Sequence, residues 1–425
     1  MLPKIEAETV WQSPLNFNGS EMKKLSVSTT NHPFELIVLL AIYTSIGALS
    51  IDLQLPAMPL ILQSFGLTEN NQQQWIITAY MLGFASAQIF YGPISDSVGR
   101  KPVLLFGLGL YIFASLLCLW TESYFGFLAA RALQGVGAAA ARIMVNAITR
   151  DFFKGNEMAR VTSLVMIIFI MVPVMAPSLG SLILWLGPWQ HILYVFVLFG
   201  LLALVWTLVR LPESLTTEHK KPLSFHQLKN TFLKVIKEPV SMAFAVVSGV
   251  IFSGFMAYLN SAEQLFSHIY EVKQYFPYIF GVIALFFGLA AFINSKIVMK
   301  YGAVKVTYFA MIVMVITNLL MWVLSYLFAG LPPLALFIVV LVIVNVCIGL
   351  IYGNVMAIAM YPLGAHAGMG ASVIGMVSAL IAAGLGIFIS QQLTNTIMPV
   401  VSGFFMTSLL ALIITNRFKS QVNIV

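Results

Sequence analysis

The sequence predicts an all-α integral membrane protein, with twelve transmembrane helices in two pseudo-symmetric six-helix bundles. Three observations carry that expectation. The 425-residue chain is 60% hydrophobic and only 9% charged, where soluble domains are roughly 45–50% apolar and about 25% charged; its mean hydropathy is +0.94. Its apolar residues gather into twelve runs of about 20 residues, the length a helix needs to cross about 30 Å of hydrocarbon. Its basic residues fall almost wholly on one side of those runs.

Residues 1–33 form a polar tail without apolar periodicity. The run that follows is too long for a cleaved leader, so the tail is expected to stay on the cytoplasmic side. Its Asn18-Gly19-Ser20 is then a sequon by spelling only. The spans read 34–62, 75–94, 102–121, 124–149, 160–186, 190–211, 239–264, 276–297, 305–328, 333–358, 369–391 and 397–416. They must be helices, because lipid offers no partner to exposed backbone amides. They group as bundles 34–211 and 239–416, joined by a charged linker, 212–238, and followed by a tail, 417–425. Within the linker, Pro222–Glu238 is amphipathic through Leu223, Phe225, Leu228, Phe232, Leu233 and Ile236, which predicts a segment lying on the inner membrane surface. A weak echo supports duplication: Gly92-x6-Gly99 follows span two and Ser295-x6-Gly302 follows span eight. Two six-helix halves read more readily as a transporter than as a receptor or channel.

Orientation follows from the basic residues. Lys4, Lys23, Lys24, Arg100, Lys101, Arg150, Lys154, Arg160, Arg210, the five lysines of 220–237, Lys296, Lys300, Lys305, Arg417 and Lys419 share one side. These are nineteen of the 22 Lys and Arg; Lys273 lies on the other side, and Arg131 and Arg142 fall inside the fourth span. A miscounted span would scramble the asymmetry, so both termini are expected in the cytoplasm.

Composition excludes other classes. The net charge of +7 is a topological signal rather than a nucleic-acid footprint, and no nucleic-acid partner is expected. Cys118 and Cys347 lie in apolar runs and imply no disulfide framework. No phosphate-binding glycine loop occurs, and the six histidines are scattered without metal-ligand spacing. Neither cofactor nor metal is expected, and an enzyme or ATP-driven pump is disfavoured.

The loop after span two reads Gly92-Pro-Ile-Ser-Asp96-Ser-Val-Gly99-Arg100-Lys101-Pro-Val-Leu104. Its glycines permit close helix approach and a tight reversal. Asp96 stands where it would cap the next helix or pair with a neighbouring basic group. Span four begins Arg131-Ala-Leu-Gln134-Gly135-Val-Gly137, and span five carries Pro173-x3-Pro177-Ser-Leu-Gly180. Span one holds Asp52-Leu-Gln54-Leu-Pro56-Ala-Met-Pro59, span ten Gly349-Leu-Ile-Tyr352-Gly-Asn354, and span eleven opens Gly368-x2-Ala371-Ser372-x2-Gly375.

Together these motifs resemble the signatures of the major facilitator superfamily, and within it the Bcr/CflA type of drug:proton antiporter, over residues 34–416. The resemblance implies the superfamily's fold, alternating access driven by proton influx, a monomer, and a bacterial inner membrane. The implied partners are a small-molecule substrate, protons and the lipid bilayer. Conformational gating is implied for Gly92, Asp96, Gly99, Arg100, Lys101, Pro173, Pro177 and Gly180. The alternative is a dedicated exporter of an endogenous metabolite such as a siderophore.

The residues argue for a site in their own right. An ionisable side chain inside a span is costly and marks a substrate or proton route. Asp52 lies roughly 27 Å along the first span and Arg131 roughly 10 Å from the outer end of the fourth, so both fall in the outer half. Burial disfavours a charged carboxylate and a nearby cation favours it, so Asp52 is expected to carry the proton with Arg131 modulating it; a static ion pair is the other reading. Arg142 follows Arg131 by eleven residues, about 20° away around the helix. It departs from the family pattern, and either binds an anionic or zwitterionic cargo or snorkels to the interface. Glu263 is either a second cation-binding carboxylate or a plain interfacial residue. Gln54, Gln88, Gln134, Asn146 and Asn354 are the amides assigned to the cavity, with Tyr43, Tyr80, Tyr258 and Tyr352 as its aromatic walls; helix–helix hydrogen bonding is the alternative role of the amides. Pro56 and Pro59 are expected to bend span one, and Pro173 and Pro177 span five.

Overall fold

The first predicted span is not one helix. The computed structural model describes residues 33–153, 155–215 and 225–421; the amino-terminal tail with its sequon, Lys154, residues 216–224 and residues 422–425 lie outside the described residues. Within them, α1 covers Pro33–Asp52, a single turn Leu55–Ala57 follows, and α2 covers Met58–Ser64. Pro56 and Pro59 lack the N–H groups that would continue the ladder to residues 52 and 55, so the chain breaks just after Asp52.

The chain continues as α3 (Gln74–Val98), α4 (Arg100–Trp120), α5 (Tyr124–Phe152), α6 (Gly155–Leu186) and α7 (Gln190–Arg210). The linker contributes α8 (Phe225–Lys237). Then come α9 (Pro239–Gln264), α10 (Phe276–Tyr301), α11 (Ala303–Leu327), α12 (Leu334–Met360), α13 (Ala367–Ser390) and α14 (Met398–Phe418). Among the described residues eleven helices, counting α1 and α2 as one, are long and apolar enough to cross a membrane, and the protein is a multi-pass membrane protein. The remaining long helix is α3, whose polarity has a cause: Gln74, Thr78, Gln88 and Ser95 are buried against neighbouring helices rather than lipid.

Small residues set the closest packing. Gly83 of α3 lies against the Ala132 carbonyl, Gly135 of α5 against the Tyr80 carbonyl, and Gly137 against the backbone of Gly107 and Tyr111 in α4. A Cβ at any of the three would collide with backbone, so α3, α4 and α5 meet at the distance only small residues allow. α6 runs unbroken through Pro173 and Pro177, and Gly180 within it lies against the Leu53 carbonyl at the α1 break. Gly99 and Gly302 each join two helices as a single residue at positive φ, 124° and 79°, a conformation that favours glycine.

α1–α7 and α9–α14 meet mainly where α3 packs on α13 and α6 on α10. The hydrogen bonds joining the two groups gather at the end opposite the basic loops. There Asn71 Nδ2 donates to the carbonyls of Gln391 (3.1 Å) and Leu393 (3.0 Å), and Gln391 Nε2 donates to the Asn71 carbonyl (2.7 Å) and to Gln74 Oε1 (2.9 Å). Gln74 Nε2 donates to Gln264 Oε1 at 2.8 Å, and Gln264 Nε2 to Asn71 Oδ1 at 3.0 Å. The α8 helix is not free of the bundle: Val235 is buried and the helix packs on α9 and α13, while Lys229, Leu233, Lys234, Ile236 and Lys237 stay exposed.

Candidate functional site

The break in α1 organises the centre of the molecule. Because α1 ends two residues later, the Ser50 carbonyl is free to accept from Arg131 Nη2 at 3.0 Å. A cation at a helix C-terminus also meets the favourable end of the backbone dipole. Arg131 is fully buried; its Nη1 donates to Gln134 Oε1, and its guanidinium lies 4.8 Å from the centre of the Tyr80 ring. Gln134 Nε2 donates to Ser115 Oγ at 2.6 Å, and the Ser50 and Tyr111 hydroxyls lie 2.7 Å apart. Arg131, Gln134 and Tyr80 are thereby fixed inside α1–α5, where hydrogen bonds and the ring face offset the cost of a buried cation.

Asp52 is not part of that arrangement. It is 5% exposed and makes neither a hydrogen bond nor an ion pair with a described residue. The expected approach of Arg131 to Asp52 gives way to Arg131 bonding the backbone two residues earlier. The neighbour in electrostatic reach of Asp52 is Tyr258 of α9. Beside it in sequence, both side-chain polar atoms of Gln54 are buried without a partner, as is the Tyr258 hydroxyl. Tyr258 stacks on Phe280 with ring centres 6.1 Å apart, continuing into Phe255, Phe252 and Tyr352.

The other predicted residues separate by environment. Arg142 and Asn146, one turn apart on α5, and Tyr352 on α12 reach accessible surface; Arg142 has no ion-pair or hydrogen-bond partner among the described residues. Tyr43 instead shares a 2.6 Å hydrogen bond with Thr207, tying α1 to α7. Asn354 exchanges two 3.0 Å hydrogen bonds with Asn294, a helix–helix contact between α10 and α12. Gln88 is buried at the α3–α13 contact, its Oε1 close to Gly375.

At the basic end, Asp96 does not cap the next helix. It pairs with Arg100 at 2.5 Å, and Arg100 Nε reaches Asp151 at 3.1 Å. The cap is Glu213, just past α7, which accepts from the backbone N–H of Arg100 (2.9 Å) and of Lys101 (3.2 Å). Lys101 Nζ donates to the Leu208 carbonyl at 3.0 Å. Gly99 leaves room for this carboxylate: a Cβ there would meet Glu213 Oε2 at 2.5 Å. Gly92 faces Ser372 of α13 at close range.

At the opposite end a cleft of about 660 Å³ opens between Pro56, Pro59, Ser178 and Ser181 on one side and Glu263, Ser267, Lys273 and Pro277 on the other. Glu263 is 2% exposed, so it is not the solvated interfacial residue its place at the end of a span suggests. Glu213, Asp151 and the amide set Asn71, Gln73, Gln74, Gln264 and Gln391 are what sequence reasoning missed. The available signals were an acidic residue directly after Arg210-Leu-Pro at the end of span six, and the amide run 70–74 where a loop was expected.

The chain matches the Major Facilitator Superfamily over residues 40–390. It is 29% identical to an uncharacterized MFS-type transporter, YdgK, of Bacillus subtilis, over 81% of this chain and 86% of that one. It is 28% identical to a bicyclomycin resistance protein homolog of Haemophilus influenzae, over 87% and 92%, and 28% identical to the multidrug resistance protein MdtL of Escherichia coli, over 77% and 81%. Its fold superimposes on the Escherichia coli xylose transporter XylE in a partially occluded inward-open conformation with a TM-score of 0.73 at 12% identity, covering 91% and 97%. The chain belongs to the Major Facilitator Superfamily, and its long helices adopt the fold of those membrane transporters.

Proposed function

We propose that this transporter is a proton-coupled exporter of amphipathic small molecules, with Asp52 as the group that alternates between proton and substrate. One observation carries the reading: Asp52 is buried at the α1 break with no described partner. Tyr258, on the opposite group of helices, is within electrostatic reach of it. A buried charge persists only when paired or neutralised, so an unpartnered carboxylate here needs a proton or a cationic group of the substrate. Arg131 serves this cycle by holding the end of α1, and so the direction of Asp52. The aromatic run Phe252, Phe255, Tyr258 and Tyr352 supplies apolar, re-packable surface for amphipathic cargo. The relatives named for drug resistance fit the same reading.

In this scheme bundles 34–211 and 239–416 rock about the central site, linked by 212–238, with the Asp96–Arg100–Asp151 and Glu213 contacts gating at the cytoplasmic end. The protein acts as a monomer in a bacterial inner membrane with both termini cytoplasmic. A second reading, a dedicated exporter of an anionic or zwitterionic metabolite, draws on accessible Arg142.

Proton release from energised everted vesicles tests both. Unrelated cationic or neutral compounds should evoke it in wild type and not in Asp52→Asn. Coupling at wild-type stoichiometry in Asp52→Asn would remove the role given to Asp52. A response confined to anionic or zwitterionic compounds would favour the second reading.

A further inference from the structure

The closed end of the molecule holds a second buried carboxylate that the coupling assigned to Asp52 does not use. Glu263, 2% exposed, stands in the last turn of α9 where the two groups of helices meet. Gln73, in the turn leading into α3, donates to its Oε2 at 3.3 Å, and His268 Nε2 lies 3.9 Å from the same oxygen. It forms part of the wall of the cleft. The seam around it is otherwise built of neutral amides, Asn71, Gln74, Gln264 and Gln391. The charged or titratable groups in electrostatic reach of it are His268 and Lys273; Glu271 and Tyr278 line the same cleft, to which α2 and α6 bring prolines, serines and apolar side chains.

We propose that Glu263 is a second proton-binding group, reached from this cleft, whose protonation lets the seam close and whose ionisation helps it part. The proposal rests on the proton-coupled reading above. Alternating access requires this seam to separate. Parted, the Glu263 carboxylate is wetted and holds its charge at little cost. Closed, the charge is left between helices with a long contact from the Gln73 amide, the Ser267 hydroxyl nearby, an imidazole too distant for a full hydrogen bond and Lys273 out at the exposed rim, and burying an incompletely paired charge costs far more than burying a neutral acid. His268, with its side chain 48% exposed, stands on the rim. Its imidazolium can give the Nε2 proton to Glu263 Oε2, and the neutral imidazole regains one from water. Closure on taking a proton from the outside is the half-cycle that an exporter driven by proton influx requires.

Spin labels at Glu69 and Asn395, both exposed, report the seam by pulsed electron resonance in the full chain reconstituted into lipid nanodiscs. The wild-type distance should shorten as the pH falls from mildly alkaline to mildly acidic. Glu263→Gln should hold the short distance throughout, and Glu263→Asp should restore a response. A Glu263→Gln response equal to wild type, or a wild-type distance indifferent to pH, overturns the proposal. Asp52→Asn run alongside should keep the seam response while losing substrate-evoked proton release. Failure at Asp52 is thus read in transport and failure at Glu263 in distance. A thermal unfolding transition of Glu263→Gln in detergent as sharp as that of wild type separates a folded variant from a collapsed one.

Discussion

Arg131 and Asp52 meet the same backbone break with opposite results. The guanidinium completes the end of α1 through the Ser50 carbonyl, whereas the carboxylate two residues later completes nothing within its own group of helices. Replacing Arg131 with Lys keeps the charge but loses the planar fork that serves Ser50 and Gln134 together. Arg131→Lys should lower stability by about 2 kcal/mol and reduce transport, read by thermal unfolding and by vesicle assay. Both residues were legible in the sequence because charge inside an apolar run has few innocent explanations. Their relation was not. Sequence gives depth along each helix, and the side-chain directions depend on where α1 stops. Glu263 was legible as a titratable residue, either cation-binding or interfacial, but its burial was not, because burial at a span's end depends on what the opposite half brings to it.

At the scale of elements, glycine placement decides whether α3, α4 and α5 can touch. Gly83→Val and Gly135→Val push a side chain into the Ala132 and Tyr80 carbonyls. Overpacking of this kind costs about 1–3 kcal/mol, so both variants should unfold at lower temperature in detergent. Gly109→Ala meets nothing within 4 Å and should behave as wild type. Removing the α4 cap with Glu213→Ala should cost about 1 kcal/mol, seen in the same assay, while Glu213→Gln keeps an acceptor and should lose less. The span edges at 124, 190, 239 and 276 coincide with helix starts, because polarity changes abruptly there. Pro56 and Pro59 announced a bend in span one, but not that the helix stops after Asp52, since a proline acts on the carbonyl four residues earlier. Glu213 escaped notice because a charge in a charged linker is ordinary until a helix N-terminus is found beside it.

For the whole molecule, the amide seam defines which end is shut. Asn71 and Gln391 exchange backbone and side-chain hydrogen bonds across it, so Asn71→Cys with Gln391→Cys should cross-link on mild oxidation. Transport should stop on oxidation and return on reduction; continued transport by the cross-linked form would show that this seam need not part. Loop length and charge carry the proposed division into bundles 34–211 and 239–416. The hydrogen bonds across the seam were not anticipated, because residues so far apart in sequence carry no local pattern.

The polarity of α3 bears on how the chain is made as well as how it works. A helix whose glutamines and threonine suit protein contacts better than lipid is poorly accepted by a bilayer when it emerges alone. It should enter together with α4, with α5 arriving soon after to cover its small-residue face. With the amino terminus cytoplasmic, a nascent chain ending at Val98 should therefore let α3 slip through to the outer side, and one extended through Phe152 should hold the Val98 end of α3 on the cytoplasmic side. Glycosylation reporters placed after each point would distinguish the two. Membrane integration of the first half is then a cooperative event rather than a series of independent insertions.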